Sequence, residues 1–83
     1  PDLVLEECRA HNVDFRDGDF TNANFTYSDL SGCFFAKTNL TGANFSEATD
    51  YDIDIYHNTI KNAKFSRYEA VRLLDSLEIE LVD

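Results

Sequence analysis

Residues 13–45 decide the fold: Val-Asp-Phe-Arg-Asp (13–17), Gly-Asp-Phe-Thr-Asn (18–22), Ala-Asn-Phe-Thr-Tyr (23–27), Ser-Asp-Leu-Ser-Gly (28–32), Cys-Phe-Phe-Ala-Lys (33–37), Thr-Asn-Leu-Thr-Gly (38–42) and the opening Ala-Asn-Phe (43–45) of a seventh unit. The third place of every unit is Phe or Leu. The first place is small or compact, and the second is Asp or Asn in every unit except at Phe34. A period of five matches neither the 3.6 of an α-helix nor the 2 of a strand. It is the mark of a repeat architecture with its own geometry.

The register extends outward from this stretch. Counting back, third places fall on Ala10 and Leu5 and first places on Cys8 and Leu3. Counting forward, third places fall on Asp50, Ile55, Ile60 and Phe65, preceded by Ala48, Ile53, Asn58 and Ala63. Asp50 is the one polar third place, so the repeat is expected to loosen there. If four units make one turn, residues twenty apart stack. The inner columns then read Leu5, Phe25, Phe45, Phe65; Ala10, Leu30, Asp50; Phe15, Phe35, Ile55; and Phe20, Leu40, Ile60. Each column is chemically alike down its length, as a solenoid requires, because each layer touches only its neighbours. The layers are expected about 4.8 Å apart, the spacing of paired strands. The Asp and Asn of the second places are expected to bond the local backbone at the corners. Phe34 is expected to face outward, and Tyr27 to be exposed.

Composition narrows the function. Eighty-three residues allow one small domain. The formal charge of −9 argues against direct contact with nucleic acid, whose phosphates it would repel, and favours a basic partner. Before Lys61 three bases stand against eleven acids, a charge of −8. Cys8 and Cys33 both fall on first places and are expected to be buried, reduced thiols. His11 and His57 fall on outward places with no nucleophile pattern beside them, and are expected to be ordinary surface histidines. No Gly-rich phosphate loop and no metal-spaced Cys/His cluster is present. The expectation is no catalytic residue, no cofactor, no metal and no enzyme. No apolar run is long enough to span a membrane and no signal-peptide pattern precedes the repeats, so a cytoplasmic protein is expected. The sequence contains no Met, which suggests a trimmed chain whose natural N-terminal side continues the repeat.

The end of the chain changes character. Ser66-Arg67-Tyr68-Glu69 has the form of a capping box, Ser as N-cap and Glu at N3. Ala70, Val71, Leu74 and Leu77 then give one apolar face at helical spacing. Glu78 to Val82 alternates polar and apolar, like a short half-buried strand. A bare coil end would expose the Phe65 layer and unpaired backbone edges, and the helix can cover them. Its surplus apolar residues predict self-association. The domain reading is a repeat coil over 1–65 and a capping and dimerisation module over 66–83.

These residues resemble the pentapeptide repeat family, Ala-(Asp/Asn)-(Leu/Phe)-X-X, which Ala23-Asn24-Phe25 and Ala43-Asn44-Phe45 match almost letter for letter. The resemblance covers Leu3 to Phe65. The stretch from Tyr51 to Leu81 resembles the C-terminus of the topoisomerase-protecting members of that family, the AlbG, Qnr and MfpA group. The resemblance implies an all-β fold, a right-handed four-sided β-helix with a C-terminal capping α-helix. It implies a bacterial, non-enzymatic, DNA-mimicking protein that binds DNA gyrase or another type II topoisomerase and protects it from, or modulates, its poisons. On that reading the partner-binding acidic surface is Asp14, Asp17 and Asp54 on one side, with Asp29 and Asp52 on the neighbouring one. The homodimer interface is Tyr68, Val71, Leu74, Leu77, Ile79 and Leu81. The alternative is a structural scaffold or protein-interaction solenoid with no topoisomerase link. Acids scattered evenly over all four sides would favour that alternative.

Overall fold

The computed structural model describes residues 4–82. Its backbone winds into a β-helical coil in which parallel bridges join residues twenty apart. Four five-residue units therefore make each turn. One side is bridged Val4, Asn24, Asn44, Lys64, where the last step pairs β1 (Asn44–Phe45) with β2 (Lys64–Phe65). A second is bridged Arg9, Asp29, Thr49, a third Asp14, Phe34, and a fourth Asp19, Asn39, Thr59. The bridging residues are the second places of the units. The coil and its C-terminal segment form a rod 37 Å long and 24 Å across.

The core is the stack that the five-residue period predicts. The rings of Phe25 and Phe45 lie 4.8 Å apart at 8°, Phe45 and Phe65 5.0 Å apart at 1°, and Phe15 and Phe35 5.0 Å apart at 11°. Neighbouring columns meet edge to face, as Phe15 does with Phe25 at 5.6 Å and 88°. Such contacts suit the ring quadrupole and add to the burial of each ring, about 1.5–3 kcal/mol apiece. Phe25, Leu30, Leu40 and Phe45 are fully buried, with Ala23, Ala43 and Ala48 at the corners. Leu3 lies outside the described residues.

Two polar devices hold the backbone. The second-place oxygen accepts from the N–H two residues on in every case expected: Asp14 from Arg16, Asp19 from Thr21, Asn24 from Thr26, Asp29 from Ser31, Asn39 from Thr41, Asn44 from Ser46 and Asp54 from Tyr56. The second device is the fifth place, which the sequence reading passed over. It adopts the left-handed conformation at Glu7, Asn12, Asp17, Asn22, Tyr27, Gly32, Lys37, Gly42, Glu47 and Asn62. The many Asn, Asp and Gly at these places are its signal.

The repeat loosens at the one polar third place, as expected, and four other expectations, for Ile55, Cys8, the helix and the segment after it, need correction. The third place Asp50 is exposed, with φ +57°, and Tyr51 fills the core in its stead at 1 % exposure. Burying a carboxylate without a partner costs far more than a slip of one residue, so the chain slips. Ile55 is consequently only half-buried, while Ile53 is buried. Cys8 is exposed, because its turn is stacked on one side only; Cys33 is buried, and both thiols are free. The C-terminal helix is a 3₁₀ helix, Glu69–Leu77, not an α-helix capped by Ser66. The Ser66 hydroxyl is already engaged: it accepts from Glu47 N–H at 2.7 Å and donates to Glu47 Oε1 at 3.1 Å. Finally, Glu78 is a left-handed helix stop, and residues 79–82 are exposed and irregular rather than a strand, since no ladder partner lies beside them.

The three-residue period suits the docking of this helix. Leu73 packs against the core, and one turn on Ile55 N–H donates to the Ser76 hydroxyl at 3.4 Å. Arg72 Nε donates to the Tyr51 carbonyl at 3.0 Å. Val71 and Leu77 are left facing solvent. Among the described residues, no helix is long and apolar enough to cross a membrane.

Candidate functional site

The bridges assign each acid to a side of the rod. Asp14 and Asp17 share the side of Phe34, to which Asp54 belongs by unit count and without a bridge, and Asp29 shares the neighbouring side with the unit 48–52 that holds Asp50 and Asp52. Glu6, Glu7 and Glu47 lie on a third side and Asp19 on the fourth. The acids are thus scattered round the rod rather than gathered on one face.

Several of them are engaged. Arg16 holds Asp14 with two side-chain bonds, Nε to Oδ1 at 2.9 Å and Nη2 to Oδ2 at 2.8 Å. With the Arg16 N–H added, these bonds keep the Asp14 carboxyl down at about 2. Asp29 is also held at about 2, by the Ser31 hydroxyl, by His11 Nε2 at 2.8 Å and by the Ser31 N–H. His57 Nδ1 lies 2.8 Å from Asp54 Oδ2, and this bond lowers the Asp54 carboxyl. Asp17 and Asp52 are exposed. Asp14 and Asp29 therefore keep their negative charge down to about pH 2. Both histidines are exposed, as expected, and each is paired with an aspartate on its own side.

Phe34 and Tyr27 are exposed, at 55 % and 62 %. Phe34 carries the Arg16 guanidinium 5.4 Å above its ring, a cation–π contact on the surface. As a phenylalanine it offers no acceptor to the Ala36 N–H, so this corner lacks the bond its counterparts make. The residues expected at a dimer interface lie in and beside the C-terminal helix. Tyr68, Val71, Leu77, Ile79 and Leu81 are exposed, joined by Val82, and Leu74 is half-buried.

The sequence reading missed two features. Polar first places are not merely small: Ser28, Cys33, Thr38 and Asn58 each donate a side-chain hydrogen to the third-place carbonyl of the turn before, on Leu5, Ala10, Phe15 and Phe35. Their recurrence twenty-three residues from their acceptors was legible in principle. The second is a polar junction between coil and helix, where Arg72 approaches Asp50 and Glu69 at 3.7 Å each. There the Tyr51 hydroxyl and Glu69 Oε2 are buried without a hydrogen-bond partner. Burial, with the Glu69 charge nearby, pushes the Tyr51 phenol up to about 12. No cluster of His, Cys, Asp and Glu suited to a metal occurs among the described residues.

Comparison with known proteins finds a family model and solved structures to which the chain is similar. A model of the pentapeptide repeats family matches residues 19–49, with eight copies. No curated protein sequence matches the chain. Among solved structures, a trypsin-treated QnrB1 variant is 26 % identical with a TM-score of 0.49, covering 98 % of this chain and 40 % of its own. A second trypsin-treated variant is 22 % identical with a TM-score of 0.47, over 96 % of this chain and 46 % of its own. Full-length QnrB1 is 23 % identical with a TM-score of 0.44, over 92 % and 43 %. QnrB1 is described as a plasmid-mediated fluoroquinolone resistance protein. This chain spans less than half the length of each of these structures. The chain is similar to the pentapeptide repeats over residues 19–49, and the same five-residue ladder carries the architecture from Val4 to Phe65.

Proposed function

We propose that this chain is a non-enzymatic, cytoplasmic binding protein whose acidic rod engages DNA gyrase or another type II topoisomerase in place of duplex DNA, and so protects the enzyme from its poisons or modulates it. The observation that carries this reading is a narrow rod of formal charge −9 on which the Asp14 and Asp29 carboxyls are held down at about 2 by their hydrogen bonds. Duplex DNA carries one charge per about 1.7 Å, or about 22 over the same length, so the rod is a dilute version of the duplex field. A basic groove would still draw it in, and would do so less at high salt. The reading takes the coil to be right-handed and four-sided, and takes residues 66–83 to be a module that joins two copies through Tyr68, Val71, Leu74, Leu77, Ile79 and Leu81.

A supercoiling assay tests it: gyrase with a fluoroquinolone or albicidin, with and without the full-length protein. Restored or inhibited supercoiling is the expected outcome. Neither effect, at protein in excess over gyrase, would refute the proposal. The scatter of the acids over four sides favours a second reading, a protein-interaction scaffold with no topoisomerase link. On that reading the assay is silent.

A further inference from the structure

The ladder breaks in one place. Three sides are bridged from the second turn to the third, but the side of Asp14 and Phe34 has no bridge to Asp54. The one-residue slip at Tyr51 is the cause. At the corners the fifth-place N–H elsewhere donates nineteen residues ahead, as Asp17 does to Ala36 and Gly42 to Lys61. Lys37 instead donates twenty ahead, to the His57 carbonyl, at 2.6 Å. The Asn58 side chain fills part of the gap, donating to the Phe35 and Asp54 carbonyls and accepting from Thr38 N–H. A groove of about 410 Å³ opens beside it, between residues 37–39 and 56–59.

The lining of this groove runs against the rest of the molecule. The protein holds sixteen acids, yet no carboxylate lines it. Lys37 and His57 do, with two Asn, two Thr and Tyr56. Asp54 accepts from His57 Nδ1, so Nε2 carries a hydrogen to donate to a ligand only in the imidazolium form. Among the described residues no hydrogen bond is made to His57 Nε2, the Asn39 amide nitrogen or the Thr59 hydroxyl, and Lys37 has no ion pair. The Lys37 ammonium, the Asn39 amide and the Thr59 hydroxyl, joined by His57 as an imidazolium whose other nitrogen Asp54 holds, match one ligand chemistry, an oxyanion.

We propose that the groove opened by the slip binds a single oxyanion, a carboxylate or a phosphate group, through Lys37, His57, Asn39 and Thr59. The site does not depend on topoisomerase binding. The test is an amide-resolved NMR titration of the intact protein with sodium phosphate and, separately, sodium acetate, ionic strength being held constant with chloride. Saturable shifts confined to residues 37–39 and 56–59 are expected. Tighter binding of phosphate would assign a phosphoryl ligand, and tighter binding of acetate a carboxylate. Lys37→Gln should weaken binding by at least about tenfold, the loss of one charge-assisted hydrogen bond. Thr59→Val, which leaves the charge unaltered, should weaken it as well and separates a built site from long-range attraction. No saturable shift with either anion, or equal affinity in both variants, would overturn the proposal.

Discussion

At the scale of single residues, two positions in each unit do different work. The second place bonds its own corner; the fifth place bends the chain into the left-handed region. Gly32 and Gly42 are the fifth places where the previous turn leaves no room. A Cβ on Gly32 would collide with Asn12 Oδ1, and one on Gly42 with Asn22 Oδ1. Both glycines have φ near +70°, where a side chain adds strain of its own. Gly32→Ala is therefore expected to cost about 1–3 kcal/mol, read as a lower urea midpoint. An unchanged midpoint would mean that the Asn12 amide turns aside freely. Tyr27, Lys37 and Glu47 adopt the same backbone conformation, so the close approach, rather than the dihedral alone, selects glycine.

At the scale of elements, Tyr51 decides how the third turn and the helix meet. Its ring lies against Phe45 and Phe65, at 5.9 and 5.5 Å, and its carbonyl accepts from Arg72. Its buried hydroxyl has no partner, which makes Tyr51→Phe neutral or stabilising by up to about 1–3 kcal/mol. The pH dependence has a definite sign. The folded phenol sits near 12, above its ordinary value of 10. Above pH 10 the unfolded chain gives up this proton first, so stability falls as pH rises from about 10 to 12. Tyr51→Phe should show a shallower alkaline limb when urea midpoints are compared between pH 9 and 12. Equal slopes would mean that the phenol titrates normally in the fold. The 3₁₀ helix was legible as a helix but not as this kind of helix. Its apolar spacing was on the page, whereas the use of Ser66 by Glu47 depends on a contact nineteen residues away.

At the scale of the whole molecule, the C-terminal segment leaves several large apolar side chains exposed. Tyr68, Ile79, Leu81 and Val82 are each more than half exposed. Covering them through a second copy is the expectation that the proposed function carries. Leu74→Lys and Leu77→Lys should then give a monomer mass in light scattering, where the parent protein gives a dimer. A dimer mass that both substitutions leave unaltered would place the contact elsewhere. The charge pattern is also a property of the whole: the number of acids could be counted in advance, but their sharing among the four sides needed the register of the turns.

The chain of residues alone settled the five-residue repeat and the Phe and Leu at its centre, because a strict period forces like side chains to one place in every unit, whereas the twenty-residue turn came from the family resemblance and is shown by the bridges. The residues also settled the bonding of the second-place Asp and Asn, a contact that spans two residues and needs no distant partner. The slip at Tyr51, the broken ladder beside Phe34, the groove at Lys37 and the seating of the 3₁₀ helix arose only on folding. Each depends on which of two neighbouring residues the core accepts, and on contacts between residues about twenty apart. Local pattern carries no information about that competition until the turns are stacked.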